Sequence, residues 1–313
     1  MNMDPEYSEE YKQKPLPFKL IEGWDTEDEI LKKKKLEALV NGDVTPRDAA
    51  IEFNTAVVQE ADRRKEELLK RPDPRNLTPE EEEHGIPSMR AIAPNPSGDL
   101  EELILWIARL CSACPPYHPG QDRIIGFLEV LRDLPRREVP DGVPPEEGSD
   151  EPYSTMTLWE FESWGWLAEI FRVEESACQP PLRWRNWQSS IARLTTLNLI
   201  KCDFLCSLEH LLPSSREYPD LAKRPIDGPN KIGNYLIGAA QWIIHPDEGR
   251  YVYEQCKKCE KVPGLSPREM WSMERWREWK AQFGFVAGDE RFQGKFREMA
   301  RLAFEKMGEY ERC

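Results

Sequence analysis

The segment NYLIGAAQWIIHP, residues 234–246, is mostly apolar but carries polar side chains at a regular spacing. Read as a helix, it places Asn234, Gly238, Gln241 and His245 on one face. An imidazole exchanges protons near neutral pH, and a carboxamide can hydrogen-bond a polarised oxygen. The pattern predicts either one wall of a small-molecule site or a hydrogen-bonded contact between packed helices. The glycine would allow close approach in both cases.

A second segment, RWRNWQSSIARLTTLNL at residues 183–199, combines an aromatic helical face with a polar one. Arg193 lies on the polar face. An arginine held beside a substrate stabilises the negative charge that develops on a carbonyl or enol oxygen. We therefore predict Arg193, Gln241 and His245 as catalytic residues that orient and polarise a bound substrate.

The chain contains 11 tryptophans, many of them between residues 159 and 242. Aromatic side chains combined with a few polar groups are typical of pockets for apolar ligands. The alternative is that the tryptophans only fill the core of a large helical protein. The predicted substrate-binding residues are His118, Trp159, Trp166, Trp187, Asn234, Tyr235, Gly238 and Trp242.

Sequence motifs for metals, nucleotides and activated nucleophiles are weak or missing. The CxxC pairs Cys111/Cys114 and Cys256/Cys259 could supply four thiolates to a structural zinc ion. Both pairs fall on or at the end of predicted helices instead of on glycine-rich knuckles, which favours ordinary thiols. Neither a phosphate-binding glycine loop nor a nucleophile elbow occurs. The sequence therefore predicts no metal site and no cofactor.

The net charge of −14 disfavours nucleic acids and anionic membranes as partners. No apolar run approaches the ~20 residues that a membrane span needs, and the first residues lack an apolar signal core. These features predict a cytoplasmic protein with reduced cysteines. The predicted partner is a small apolar or aromatic molecule, with no nucleic acid and no membrane, and the prediction allows a homodimer.

The hydrophobic periodicity predicts an all-α fold, a single large domain of about ten helices packed in antiparallel pairs. Helix starts are marked at Thr26, at Thr45-Pro46 and at Ser266-Pro267. The segment TLWEFESWGWLAEIF, residues 157–171, is also predicted to be helical, and no strand is predicted. The predicted organisation is an N-terminal arm at 1–25 and one helical domain at 26–313, with proline- and acid-rich loops near 71–98 and 135–153.

Three segments resemble a mainly fungal family catalogued as a domain of unknown function, DUF3632. They are PYHPGQDRIIGFLEVLRDLP at 116–135, NWQSSIARLT at 186–195 with GAAQWI at 238–243, and LSPREMWSMERWREWKAQFGF at 265–285. The resemblance spans about residues 28–310. It implies an all-helical cytosolic protein and assigns no catalytic residue. By association, it also implies a place beside natural-product pathways.

These observations lead to two functional hypotheses from different classes. The first is a cofactor-independent cyclase of fungal specialised metabolism, a pericyclase or Diels–Alderase-like enzyme that holds an apolar or aromatic intermediate in a tryptophan-lined pocket. The second is a non-enzymatic helical scaffold whose acidic faces and proline-rich loops bind another protein. An enzyme needs a site with converging polar groups, whereas a scaffold does not.

Overall fold

Nearly all of the regular secondary structure in the described part of the chain is helical. A computed structural model describes residues 13–146, 149–161, 163–178, 180–212, 231–260 and 271–312. The all-α prediction is confirmed. In these residues the helices are α1 (Glu27–Asn41), α2 (Pro46–Leu69), α3 (Pro79–Glu83), α4 (Pro96–Ala113), α5 (Pro119–Asp133), α6 (Leu167–Glu175), α7 (Pro181–Thr196), α8 (Lys231–Gln241), α9 (Pro246–Glu260), α10 (Met273–Gly288) and α11 (Gly294–Tyr310). Across the described ranges, no helix is both long enough and apolar enough to span a bilayer.

The helix starts that the sequence marks are local capping arrangements. Thr26 and Glu29 form a reciprocal capping box at α1, and that helix ends at Gly42, which has a left-handed conformation. The Thr45 side chain accepts the Asp48 N–H at the start of α2, with Pro46 at the first helical position. Both predicted starts are confirmed. The predicted start at Ser266-Pro267 lies outside the described residues; α10 begins at Met273.

The segment 157–171 is not a continuous helix, so that prediction is wrong. Residues Thr155–Thr157 form a strand, β2, which pairs antiparallel with β1 (Glu138–Pro140) and places Val139 opposite Met156. The helix of this segment, α6, begins only at Leu167. Trp159 has a φ of +63°, which no helical residue adopts. The two short strands were missed because three residues are too few to show an alternating pattern.

The contacts divide the chain into two compact units, whereas the sequence predicts a single domain. The first unit comprises residues 1–19, 108–121 and 171–313, and the second comprises residues 20–107 and 122–170. The chain therefore passes from one unit to the other within α4, α5 and α6. In the predicted N-terminal arm, the Leu16 N–H donates to the Ala113 carbonyl at 2.9 Å.

The core of the first unit is organised around Gln188 of α7. Its side chain is fully buried, and its Nε2 donates to the Leu205 carbonyl at 3.0 Å. Its Oε1 accepts the Ser207 N–H at 3.2 Å and the Trp242 indole N–H at 2.7 Å. One carboxamide thus joins α7 to α8 and to the 3₁₀ turns that follow α7. A buried amide needs such partners, because leaving it unpaired would cost about 1–3 kcal/mol.

The core of the second unit also contains polar pairs. Lys33 and Asp25 form a buried ion pair at 2.7 Å, and the Lys33 ammonium lies 5.2 Å from the centre of the Trp106 ring. The Trp159 indole N–H donates to the Asn54 carboxamide oxygen at 2.7 Å. These interactions fix the positions of α1, α2 and the segment that precedes α6.

A substitution at Gly238 tests how closely α8 packs on α7. A Cβ at this position would lie 2.3 Å from the Trp184 indole nitrogen and 2.9 Å from both Gln188 Cγ and Ser207 Oγ. We expect Gly238→Ala to lower the free energy of unfolding by about 1–3 kcal/mol, because the core is already filled. Urea denaturation followed by circular dichroism measures this change.

Gly126→Ala is the matched control, because its added methyl group would make only ordinary contacts of 3.6 Å with Pro46. In the interior of α5, this change should leave stability equal or raise it by about 0.4–1 kcal/mol. If both variants were as stable as the wild type, the close packing at Gly238 would be refuted.

Candidate functional site

The three side chains predicted as catalytic lie together in the first unit. Arg193 comes from the last turn of α7, Gln241 from the end of α8, and His245 from the residue before α9. The structure adds Tyr117, Gln121 and Glu248, which the sequence did not single out. We refer to these six residues as the Tyr117 cluster.

Tyr117 lies in the short turn between α4 and α5 and has a φ of +56°. A left-handed conformation is uncommon for a residue with a bulky side chain, and it persists only where neighbouring contacts hold it. The turn PPYHP has prolines on both sides of Tyr117–His118, so neither helix can extend through it. This conformation holds the Tyr117 ring at the surface, where 40% of the residue is exposed.

The Tyr117 hydroxyl is hydrogen-bonded to a buried carboxylate. It lies 2.8 Å and 2.7 Å from the two carboxylate oxygens of Glu248, which is only 3% exposed. Burial raises the pKa of Glu248, although the Tyr117 hydrogen bond lowers it in part. Burial and the Glu248 hydrogen bond both raise the pKa of Tyr117. The phenol therefore stays protonated at neutral pH and donates to Glu248.

Arg193 supplies the positive charge of the cluster. Its guanidinium lies 4.4 Å from the centre of the Tyr117 ring, which is a cation–π contact. It also donates to Gln121 Oε1 at 2.6 Å. Gln121 is fully buried, accepts the Tyr117 N–H at 3.1 Å, and donates through Nε2 to Ser190 at 2.8 Å. Gln121 therefore fixes both Arg193 and the backbone of Tyr117.

His245 completes the cluster as a neutral base. Its ring centre lies 4.5 Å from that of Tyr117, and its Nε2 lies 3.3 Å from the Gln241 carboxamide oxygen. Burial, followed by the charge of Arg193, lowers the pKa of His245 from 6.5 to about 4. Since the Gln241 oxygen can only accept, the neutral ring carries its proton on Nε2. This tautomer leaves Nδ1 as a proton acceptor.

The apolar residues predicted to bind substrate in this unit are enclosed by protein. Trp187 and Trp242 are fully buried, and the open side of Gly238 meets Trp184 and Gln188 of α7. The Tyr235 ring contacts that of His210, with ring centres 4.5 Å apart and ring planes tilted by 43°. The predicted polar face therefore packs closely on α7 at Gly238. Of its residues, only Gln241 and His245 belong to the Tyr117 cluster. The Asn234 side chain lies outside the described residues.

The other predicted residues have identifiable local partners. His118 Nδ1 accepts the Gly120 N–H at 2.9 Å, which satisfies a free donor at the start of α5. Trp159 and Trp166 belong to the second unit. There Trp159 is fully buried, and Trp166 stacks on Trp164 with ring centres 5.6 Å apart. The predicted set thus divides between the two units.

The cysteines do not approach one another as a metal cluster within the described ranges. No group of three or more His, Cys, Asp or Glu side chains is placed there to hold a metal ion. Cys111 and Cys256 are buried, and burial raises the pKa of each thiol to about 12. Such thiols are protonated at neutral pH and are poor nucleophiles.

Two weak sequence signals point to the residues that were missed. Tyr117 stands between prolines at a helix junction, where a strained conformation is easily imposed. Glu248 follows His245 by three residues, which is one helical turn. Neither signal identifies the other residue, because Tyr117 and Glu248 are 131 positions apart.

The chain belongs to the family described as protein of unknown function (DUF3632), whose model matches residues 102–283. All six residues of the Tyr117 cluster lie within the matched range. No curated protein and no solved structure gives a significant match to the chain.

The lowered pKa of His245 can be measured by NMR. We expect the His245 ring protons, assigned by their loss in His245→Gln, to titrate near pH 4 instead of 6.5. Arg193→Gln should raise this pKa, because it removes a nearby positive charge. Arg250→Gln, an exposed change on α9, should leave it unchanged. A midpoint near 6.5 in the wild type would contradict the buried neutral state.

The same shift makes folding stability depend on pH. As the pH falls from 6.5 towards 4, the unfolded chain takes up a proton at His245 before the folded chain does. The wild type should therefore lose stability in this window, and His245→Gln should lack this part of the loss. Denaturant midpoints of the two proteins at pH 7, 5.5 and 4 measure it. Parallel curves would refute the assignment.

Proposed function

We propose that this family member is an enzyme that uses the Tyr117 cluster for cofactor-independent acid–base catalysis on a small carbonyl-bearing molecule. The observation that carries the proposal is the convergence of one cation, one neutral imidazole and one phenol–carboxylate pair at a partly exposed surface. Perturbed pKa values of this kind concentrate at catalytic sites. Cyclisation of an apolar or aromatic intermediate of specialised metabolism is the reaction class we favour.

Each member of the cluster has a distinct role in this proposal. Arg193 stabilises negative charge on a carbonyl or enol oxygen. His245 accepts a proton at Nδ1 from the carbon next to that carbonyl and returns it later. Tyr117 presents an aromatic face to the apolar part of the substrate, while Glu248 holds its hydroxyl. Gln121 and Gln241 are positioning residues, because they orient Arg193 and His245.

The substrate site proposed here is not a tryptophan-lined pocket. Trp187 and Trp242 are fully buried, and the partly exposed ring of Tyr117 supplies the aromatic contact. The substrate would therefore bind at the surface of the first unit. A cytoplasmic location and a place beside a natural-product pathway remain parts of the proposal.

Proton exchange tests the proposal without knowledge of the natural substrate. We expect the protein to accelerate deuterium incorporation next to the carbonyl of phenylacetone in D₂O, measured by ¹H NMR. His245→Gln should slow this exchange by about 100-fold, the lower end of what a positioned base contributes. Arg193→Gln should also slow it, while the exposed control Arg250→Gln should exchange at the wild-type rate. Equal rates in the wild type and in the double variant Arg193→Gln/His245→Gln would overturn the proposal.

A second candidate, a helical scaffold for another protein, is favoured by one separate observation. Trp24 is 78% exposed, and Ile21 and Leu31 nearby in sequence are also exposed. Exposed large apolar side chains often mark protein contacts when they form a patch. If the scaffold is the function, Trp24→Ser should abolish association with a partner, and no cluster variant should affect it.

A further inference from the structure

The second unit contains a groove of about 640 Å³ between α1, α2 and α4. Its volume lies within the range of roughly 300–1,000 Å³ typical of small-molecule sites. The apolar part of its wall is formed by Phe53, Val57, Leu103 and Trp106, each of which is less than a tenth exposed. Because an α-helix with side chains is about 10–12 Å wide, a groove of this volume suits a small molecule better than a docked helix.

The basic side chains of the groove are neutralised by neighbouring carboxylates. Every lysine and arginine in its wall has an acidic partner within 4 Å. Within the groove, these pairs are Lys32 with Asp28, Lys35 with Glu52, and Arg63 and Arg64 with Glu60. An anionic ligand would have to displace these carboxylates before it reached the cations.

Two carboxylates on α4 remain weakly compensated. Asp99 and Glu102 are one helical turn apart and both line the groove. Asp99 approaches Lys32 only at 3.9 Å. Among the described residues, Glu102 has no hydrogen-bond or ion-pair partner. Desolvation raises the pKa of Asp99, and partial desolvation raises that of Glu102, which the charges of Glu29 and Asp99 raise further. The α4 side of the groove therefore has an excess of negative charge beside an apolar wall.

We propose that this groove binds a small organic cation that carries an apolar or aromatic body. The ammonium group lies beside Asp99 and Glu102, and the body packs against Phe53, Leu103 and Trp106. Charge complementarity selects the cation, and the apolar wall excludes a fully hydrated metal ion. The proposal is independent of the acid–base site, because the groove and the Tyr117 cluster belong to different units.

Three probes of matched size test the charge preference. They are phenethylammonium, 2-phenylethanol and 3-phenylpropionate, each titrated into the full chain and followed by isothermal calorimetry and saturation-transfer NMR. We expect phenethylammonium to bind with a stoichiometry of one and up to about fivefold tighter than the alcohol, since an exposed charge pair contributes up to about that factor. The carboxylate probe should bind weakest. Equal or tighter binding of the alcohol or the carboxylate would overturn the proposal.

Two pairs of variants locate the binding. Glu102→Gln should weaken phenethylammonium about fivefold, while Glu101→Gln, the exposed neighbour outside the groove, should bind it as the wild type does. Ala56→Trp should place an indole inside the groove, where it obstructs the probe and abolishes binding, while Thr55→Trp, exposed on α2 but outside the groove, should not. All four positions are exposed, so folding should persist, and circular dichroism checks it.

The outcomes of this experiment are distinct from those of the exchange assay. Binding that is weakened in Glu102→Gln and lost in Ala56→Trp, with wild-type binding in both controls, supports the proposal. Binding that keeps its wild-type strength in both variants places the cation elsewhere and overturns the proposal, as does the absence of binding by phenethylammonium. Neither result affects deuterium exchange at the Tyr117 cluster.

Discussion

The buried polar face of α7 is the constraint on which the rest of the first unit depends. Ser190 donates to the Cys111 carbonyl, and Asn186 donates to the carbonyls of Ser112 and Ala113. These three carbonyls end α4, where no further helical turn can use them. Because buried carbonyls need partners, the polar side chains of α7 allow α4 to stop inside the protein. In the same way, Gln188 provides hydrogen-bond partners for the buried backbone groups of the turns after α7 and for the Trp242 indole.

The candidate site is a consequence of this arrangement. Ser190 also accepts from Gln121, and Gln121 in turn accepts from Arg193 and from the Tyr117 backbone. The α4–α5 turn is thus attached to α7 by the same polar face that ends α4. The left-handed conformation of Tyr117 is held by these hydrogen bonds, which directs its hydroxyl to Glu248. Rigid support of this kind keeps a polar site in one geometry.

Burial then sets the chemistry of the cluster. Removing His245 from water beside Arg193 keeps its imidazole neutral, and the same desolvation raises the pKa values of Glu248 and Tyr117. In the second unit, burial also raises the pKa values of Asp99 and Glu102, but there no base of comparable kind lies beside them. The two proposed sites therefore differ in kind: the first is proposed to exchange protons, and the second is proposed to attract a cation.

The sequence by itself determined the features that depend on residues close together in the chain. The caps at Thr26 and Thr45 involve residues three positions apart. Helical spacing predicted that Gln241 lies near His245, and the two side chains do meet, although α8 ends at Gln241. Tertiary structure decided the rest. Tyr117 meets Glu248 across 131 positions, β1 pairs with β2 over a loop, and Gly238 faces Trp184 of α7. Periodicity tells which side chains share a face, but only the packing of distant segments decides what that face meets.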